Sequence, residues 1–334
     1  MRCTDSCGFA YRKAMTDPTI VPSGIDPILK MLLDAIPMTF SAADGVEVAR
    51  AQMAALKLPS ELLPPLRIEE RRVGYGEHGD IPVRIYWPPT AAQDDLPVVV
   101  FYHGGGWALG DLDTHDHVAR AHAVGTDAIV VSVDYRLAPE HPFPAAIEDS
   151  WAALRWVGEN AAELGGDPTR IAVAGDSAGG NISAVMAQLA RDHNGPDLIF
   201  QLLWYPSCIG DRTLPSFLEN SRDPILDEQV IDAFLAWYVP HLDLSDHTAL
   251  PAHLAPGNGE LAGLPPAFIG TAQYDPLRDD GARYAELLAA AGVAVELCNE
   301  PTMVHGYASF AVVVPAAAEA TSRGLAALKK ALYP

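Results

Sequence analysis

The stretch Ile171-Ala172-Val173-Ala174-Gly175-Asp176-Ser177-Ala178-Gly179 decides the fold, because an apolar strand runs through a glycine-flanked serine into an alanine-rich helical segment. So short a turn from strand to helix forces Ser177 into strained dihedral angles, and a Cβ at either flanking glycine would clash. In this setting Gly-x-Ser-x-Gly is the pattern of a nucleophilic serine whose hydroxyl stands at the edge of a sheet. A helix N-cap would explain Ser177 but not both glycines.

Apolar runs bounded by turn residues alternate with segments of helical period from Leu66 onward. This alternation predicts an α/β fold with a mostly parallel, eight-stranded sheet and helices on both faces, the first two strands forming an antiparallel hairpin. The predicted strands are Arg67–Gly74, Val83–Trp87, Val98–Tyr102, Ala128–Val133, Ile171–Ala174, Phe200–Trp204, Ala267–Thr271 and Ala294–Cys298. The predicted helices run from Pro144 to Asn160, Ser177 to Asp192, Asp279 to Ala291 and Pro315 to Leu332.

Two stretches, residues 20–65 and 207–244, do not fit this alternation and carry amphipathic helical patterns instead. Ligands of such sheets bind beyond the carboxyl ends of the strands, so we expect the two stretches to form a helical cap over a site. Peripheral core helices are the alternative. Residues 66–206 and 245–334 are then the α/β core, and residues 1–19 a flexible leader.

The composition is that of a compact globule, with 334 residues of which 49% are hydrophobic and 19% charged. The formal net charge of −21 repels phosphate backbones and anionic headgroups, which argues against nucleic acid as a partner. No apolar run reaches the roughly 18 residues that span a bilayer, and no secretory signal is recognisable, so we expect a cytoplasmic protein without membrane contact. The four cysteines are expected to be free thiols, and Cys3 and Cys7 lack further ligands for a metal site.

A second glycine-rich motif, His103-Gly104-Gly105-Gly106-Trp107, ends the predicted strand Val98–Tyr102. Backbone N–H groups in such a run can point at one position without obstruction by side chains. We expect the N–H groups of Gly104 and Gly105, with that of Ala178, to stabilise the charge of a tetrahedral intermediate. The motif lacks the Lys-Ser/Thr ending of a P-loop and the spacing of a dinucleotide fingerprint.

A serine nucleophile needs a base that is itself held by a carboxylate, in the chain order Ser, acid, His. Among the later histidines, His305 lies in the loop after the last predicted strand. Asp275 follows the strand before it, where a carboxylate can meet that histidine. Asp279 and Asp280 are better explained as acids in the first turn of the following helix.

Together these motifs resemble the hormone-sensitive-lipase-like esterases, bacterial family IV of the α/β-hydrolase superfamily. The likeness runs from about Val83 to His305; besides the two glycine motifs, its markers are Tyr135–Ala146, Asp275–Asp279 and His305-Gly306-Tyr307. It implies a cofactor-free serine carboxylic ester hydrolase with the triad Ser177, His305 and Asp275 and the oxyanion donors Gly104, Gly105 and Ala178.

Further roles follow from the resemblance alone. It makes His103 and the Tyr135–Ala146 run a scaffold for the oxyanion loop, and Asp176 an organiser of nearby loops. The chain departs from the family pattern at Asp280, where Glu is frequent, and at Tyr307, where Phe is common. Neither position touches the predicted chemistry.

The predicted cap places apolar residues over the site, which favours esters with short- to medium-chain acyl groups. The expected substrate-binding residues are Trp107, Met31, Leu32, Phe217 and Phe234. The alternative reaction is hydrolysis of a lactone, carbamate or aryl formamide by the same triad. The alternative from another class is a non-enzymatic small-molecule receptor, as in relatives that have lost the base. The oligomeric state is open between a monomer and a homodimer paired through the Ala294–Cys298 edge.

Overall fold

A single mixed sheet forms the centre of the computed structural model, which describes residues 24–35, 42–74, 80–90 and 95–334. Its strands are β1 (Arg67–Gly74), β2 (Asp80–Trp87), β3 (Leu96–Tyr102), β4 (Ile129–Val133), β5 (Gly166–Asp176), β6 (Leu198–Trp204), β7 (Ala267–Tyr274) and β8 (Val295–Val304). The order across the sheet is β1-β2-β4-β3-β5-β6-β7-β8. Strand β2 pairs antiparallel with β1 and β4, and all other neighbours are parallel.

Helices cover both faces of this sheet. In the described residues they are α1 (Pro27–Ala35), α2 (Val46–Ala54), α3 (Asp116–Thr126), α4 (Ala145–Asn160), α5 (Ala178–Asp192), α6 (Pro215–Glu219), α7 (Glu228–Tyr238), α8 (Arg278–Ala290) and α9 (Pro315–Leu332). Strand β3 shows the layering, because Val98 and Val100 pack with α4 and α5, while Val99 and Phe101 pack with α3 and α9. A strand buried on both faces is typical of parallel sheets, and the predicted fold class is confirmed.

The parallel strands β5, β7 and β8 end at the same edge of the sheet, so the loops that follow them are neighbours. Ser177 follows β5, Asp275 follows β7 and His305 follows β8. The topology therefore collects three residues that lie up to 128 positions apart in the chain.

Four helices lie outside the βα alternation. They are α1 and α2 in the segment 20–65, and α6 and α7 in the segment 207–244. Helix α1 packs its buried Leu29 into the cluster formed with α3 and α9, whereas Tyr238 of α7 packs with β3 and α4. The predicted leader, residues 1–19, lies outside the described residues, as do Cys3 and Cys7.

Cys208 and Cys298 are buried and form no disulfide among the described residues, as expected. None of the helices in the described part of the chain is long and apolar enough to cross a membrane. Strand β8 forms one edge of the sheet, and the pairing of two copies through it stays a prediction.

A buried histidine on α3, packed against the sheet, makes the stability of the fold sensitive to pH. His122 is 2% exposed, its Nδ1 lies 2.8 Å from the carbonyl oxygen of Val118, and its Nε2 accepts a hydrogen bond of 3.1 Å from the indole N–H of Trp204. These partners require the neutral ring with its proton on Nδ1. Burial lowers the pKa of His122 to about 4.

We predict that His122→Leu weakens the protein near neutral pH and flattens its response to acid. The folded pKa lies below the ordinary value of about 6.5, so the stability from neutral His122 is complete above that pH and is lost down to about pH 4. At pH 7.5 the variant should lose about 1–3 kcal/mol, because Trp204 keeps an unpaired N–H. Urea unfolding at pH 7.5, 5.5 and 4.5 should show the difference from wild type shrinking; a constant difference would contradict the assignment.

Candidate active site

Ser177 lies in a tight turn between β5 and α5 with φ 55° and ψ −115°, a region that non-glycine residues rarely adopt. Two backbone contacts impose this turn. A Cβ at Gly179 would lie against the carbonyl oxygen of Tyr102, and a Cβ at Gly175 would lie 2.7 Å from the same oxygen. Ser177 occupies the N-cap position of α5, but its side chain caps no helical N–H. The hydroxyl is therefore free to serve a different partner.

That partner is His305. The Oγ of Ser177 lies 2.9 Å from Nε2 of His305, and Nδ1 of His305 lies 2.8 Å from Oδ2 of Asp275. Asp275 is fully buried, and its Oδ1 accepts the N–H of Leu277 at 2.7 Å. A carboxylate only accepts, so Nδ1 of the neutral imidazole carries the proton and Nε2 faces the serine hydroxyl as an acceptor.

Electrostatics favour proton uptake by His305. Burial lowers the pKa of its imidazole, but the charge and hydrogen bond of Asp275, together with the charges of Asp223 and Asp176, outweigh burial and raise the net pKa above the usual value. A stronger base next to a serine hydroxyl is what general-base activation requires. The ring of Tyr205 packs edge-on against the imidazole with 4.9 Å between ring centroids.

The neighbouring acids point elsewhere, as the sequence suggested. Both lie in the first turn of α8. Asp279 accepts the N–H of Ser216 at 2.9 Å, and the carboxylate of Asp280 accepts N–H groups of the loop after β6, including Ile209 at 3.1 Å. Each therefore anchors a loop, and neither contacts His305.

The prediction that the N–H of Gly104 is an oxyanion donor is wrong. Its N–H donates to Oδ1 of Asp176 at 2.9 Å and so has no free hydrogen to offer a ligand. The N–H groups of Gly105, Gly106 and Ala178 have no acceptor among the described residues, and all three residues line the space around Ser177. Three consecutive glycines give no sign of which two amides turn inward, because that depends on the carboxylate of Asp176.

The residues expected to form a scaffold surround this loop. The ring of His103 stacks on Tyr135 with 4.3 Å between centroids, and the Tyr135 hydroxyl donates to the backbone oxygen of His103 at 2.6 Å. Burial lowers the pKa of His103 to about 4, so the ring is neutral. Asp176 fixes Gly104, and burial raises its pKa to about 6. Among the contacts of the described residues, His103 has none with Ser177 or His305, which agrees with the expected structural role of His103.

Two cavities meet at Ser177. The first, called here the Phe217 cavity, has a volume of about 350 Å³. The second, the His305 cavity, has a volume of about 310 Å³. Both contact Gly106, Ser177, Leu226 and Phe234. The Phe217 cavity also contacts Trp107, Ala178, Phe217, Ile231, Leu235, Leu250 and Leu254, and the His305 cavity also contacts Leu32, Leu33, Met53, Gly105, His117, His305 and Phe310.

Four of the five expected substrate-binding residues line these cavities, namely Trp107, Leu32, Phe217 and Phe234. Met31 was wrongly placed among them, because its side chain is 62% exposed and lines neither cavity. The buried side of α1 is set by Leu29, and Leu32 and Leu33 share that side while Met31 faces solvent. The apolar type of Met31 on an amphipathic helix did not indicate that its side chain would face solvent.

Sequence reasoning missed Tyr205, Ile225 and Leu226. Tyr205 has φ 36°, an unusual backbone conformation for an aromatic residue, and nothing in the sequence marks it. Ile225 and Leu226 come from the loop before α7 and reach the cavities; their apolar type was the only available signal. In residues 24–35, 42–74, 80–90 and 95–334, no group of three or more His, Cys, Asp or Glu is arranged to hold a metal ion.

Comparison with known proteins identifies the family. The model of a family with the alpha/beta hydrolase fold matches residues 99–309, and the chain belongs to this family. Carboxylesterase NlhH of Mycobacterium tuberculosis is 76% identical over 319 residues, which cover 96% of this chain and 100% of that protein. Esterase LipI of the same organism is 58% identical and covers 92% and 96%.

Solved structures agree. A hyperthermophilic esterase from the archaeon Pyrobaculum calidifontis is 38% identical, with a TM-score of 0.82 over 92% of this chain and 98% of that one. A thermostable carboxylesterase, EstE1, from a metagenomic library is 37% identical with a TM-score of 0.81, over 88% and 100%. The predicted resemblance to hormone-sensitive-lipase-like esterases and the predicted class of enzyme, an ester hydrolase, are thereby confirmed.

We predict that Gly106→Ala abolishes most of the activity. Gly106 has φ 58°, and an added Cβ would fall on the ring of Phe234. The shifted amide should lower kcat by about 100-fold or more, the cost of losing one oxyanion donor. Hydrolysis of p-nitrophenyl butyrate measures the effect.

Gly263→Ala is the matched control, because Gly263 has φ 75° but its Cβ would meet only Arg191 at 3.7 Å, far from Ser177 in the fold. It should lose stability and keep kcat. Equal losses of kcat in the two variants would show that backbone strain alone, not the oxyanion amide, is responsible.

Proposed function

We propose that the protein hydrolyses carboxylic esters of short- to medium-chain acids through a Ser177-His305-Asp275 triad and an acyl-enzyme intermediate. The observation that carries the proposal is the imidazole of His305, which lies 2.9 Å from the Ser177 hydroxyl and 2.8 Å from the Asp275 carboxylate. This arrangement gives a weak nucleophile a base and holds that base in the required tautomer.

The reaction proceeds in two halves. Ser177 Oγ attacks the ester carbonyl carbon as its proton passes to Nε2 of His305, and the imidazolium then protonates the departing alcohol. Water, deprotonated by the same Nε2, attacks the acyl carbonyl carbon; the bond to Ser177 Oγ then breaks, Oγ takes the proton back from His305, and the acid is released. Asp275 stabilises the imidazolium in both halves without taking its proton.

The negative oxygen of each tetrahedral intermediate binds to the N–H groups of Gly105, Gly106 and Ala178. These amides face the space beside Ser177 and are not engaged with the protein. The hydrogen bond from Gly104 to Asp176 orients the loop that presents the first two. Donors fixed in advance stabilise developing charge without reorganisation at the moment of reaction.

The two halves of the ester occupy different cavities. The leaving alcohol takes its proton from His305, and His305 lines only one of the two cavities. We therefore assign the His305 cavity to the alcohol and the Phe217 cavity to the acyl chain. Phe234 and Leu226 contact both cavities and lie over the scissile bond.

The segments 20–65 and 207–244 form the cap in this proposal. Leu32 and Met53 of the first segment close the alcohol side, and Phe217 and Phe234 of the second close the acyl side. The cap is docked on the core through Tyr238, whose ring stacks on Trp107 at 4.6 Å with an angle of 4° between planes. Phe217 is 7% exposed and limits the length of the acyl chain.

We predict that Ser177→Ala lowers kcat/KM for p-nitrophenyl butyrate by at least about 10⁴-fold, because no other group supplies the nucleophile. An organophosphonate should modify wild type once, at Ser177, as seen by mass spectrometry of peptides. Ser322→Ala, an exposed serine on α9, is the control and should be labelled and active like wild type. Undiminished hydrolysis by Ser177→Ala would refute the triad.

We predict that Phe217→Ala shifts the preference toward longer acyl chains. Its kcat/KM for p-nitrophenyl decanoate relative to butyrate should rise by about tenfold or more, since each accommodated methylene is worth about 1–3 kcal/mol in an apolar pocket. Leu218→Ala is the matched control, because that neighbouring side chain is 73% exposed. An unchanged ratio in Phe217→Ala would show that the acyl chain lies elsewhere.

A further inference from the structure

Asp223 is a buried carboxyl that the triad mechanism does not use. It lies in the loop between α6 and α7 and is 6% exposed. Its Oδ1 accepts the N–H groups of Ile225 and Leu226, both at 2.7 Å, while its Oδ2 is buried without a hydrogen-bond partner in the described residues. A buried polar oxygen left unpaired is costly, so its retention calls for a functional explanation.

The loop that carries Asp223 is tied to the triad on two sides. The Asn220 side chain donates to the backbone oxygen of Asp275 at 3.1 Å, and the N–H of Asp223 donates to the backbone oxygen of Asn220 at 2.9 Å. On the other side, Ile225 lies 3.9 Å from the position of a Cβ on Gly306, directly after His305. The loop of Asp223 thus contacts the segments that carry both Asp275 and His305.

The charge of Asp223 is coupled to its surroundings. Burial, followed by the negative charge of Asp275, raises the pKa of Asp223 to about 7. His305 feels the charge of Asp223 in return. Burial lowers the pKa of His305, Asp275 raises it, and the negative charge of Asp223 raises it further. Asp223 therefore changes its charge near neutral pH, where a general base must also work.

We propose that Asp223 is a positioning residue of the active site, a second carboxyl that sets the charge state of His305 from the cap side while Asp275 orients the ring. The inference rests on the proposed role of His305 as the general base. When Asp223 is ionised, the imidazole binds its proton more tightly. When Asp223 is protonated, that hold weakens and the imidazole becomes a weaker base, so removal of the Asp223 charge should keep His305 neutral to lower pH.

Other ionisable groups near His305 do not replace this effect. Asp275 and Asp176 also raise the pKa of His305. However, the carboxylate of Asp275 is hydrogen-bonded to the imidazole itself, and that of Asp176 to the N–H of Gly104. Asp176 in turn faces His103 and His117, and Asp275 faces Asp280 on α8. Tyr205 and Tyr307 remain neutral, because burial raises the pKa of both well above the usual value.

The test is Asp223→Asn, which removes the charge and keeps an oxygen to accept the two backbone N–H groups. Because a nearby negative charge is removed, the midpoint of the acidic limb in the pH profile of kcat/KM should move to lower pH by about 0.5 pH unit or more. Asp227→Asn is the matched control, since Asp227 caps α7 through Val230 in the same segment; its profile should coincide with that of wild type. A parallel loss of rate at every pH, without a shift, would reduce Asp223 to a structural part and overturn the proposal.

A second readout does not depend on catalysis. In Ser177→Ala, the NMR titration of the His305 imidazole should show a lower midpoint once Asp223→Asn is added, and without that change a second inflection from Asp223. An identical single-step titration in Ser177→Ala and in the double variant would overturn the coupling. If Asp223→Asn folds poorly, the absence of a second inflection in Ser177→Ala alone would overturn it as well. Failure of ester hydrolysis with the NMR coupling intact would reject the proposed function and leave this inference standing.

Discussion

The close approach of the Gly179 backbone to the carbonyl oxygen of Tyr102 is the constraint on which the site depends. It lets α5 begin directly at the end of β5, and it forces Ser177 into a conformation with φ 55°. Such a residue is strained by about 1–3 kcal/mol and persists only because its surroundings impose it. The strain has a chemical consequence, because it turns the hydroxyl away from the helix it would otherwise cap and toward His305.

Sheet topology supplies the rest of the triad. Because β5, β7 and β8 are parallel, their carboxyl ends lie at one edge, and the loops after them carry Ser177, Asp275 and His305. Local turns at this edge are fixed mainly by carboxylates that accept backbone N–H groups. Asp176 holds the loop after β3, Asp280 the loop after β6, and Asp223 the loop before α7.

These buried carboxylates have pKa values well above those of exposed carboxyl groups. Burial raises the pKa of Asp176 and Asp280 to about 6 and that of Asp223 to about 7. Several acids near one imidazole favour its protonated form, which would stabilise the imidazolium of the proposed mechanism but lower the fraction of neutral base. A carboxyl that loses its charge near neutrality moderates this conflict without a change of structure.

The sequence by itself determined the fold class and singled out Ser177, Asp275 and His305, because these depend on local patterns: apolar runs, glycines at the Ser177 turn, and the order of Asp275 and His305 after strands. Tertiary structure alone decided that the N–H of Gly104 is hydrogen-bonded to Asp176, whereas the N–H of Gly106 has no acceptor among the described residues. It also decided that Met31 faces solvent and that Asp223 lies beside the triad. Those outcomes depend on contacts between residues far apart in the chain, and no local pattern encodes them.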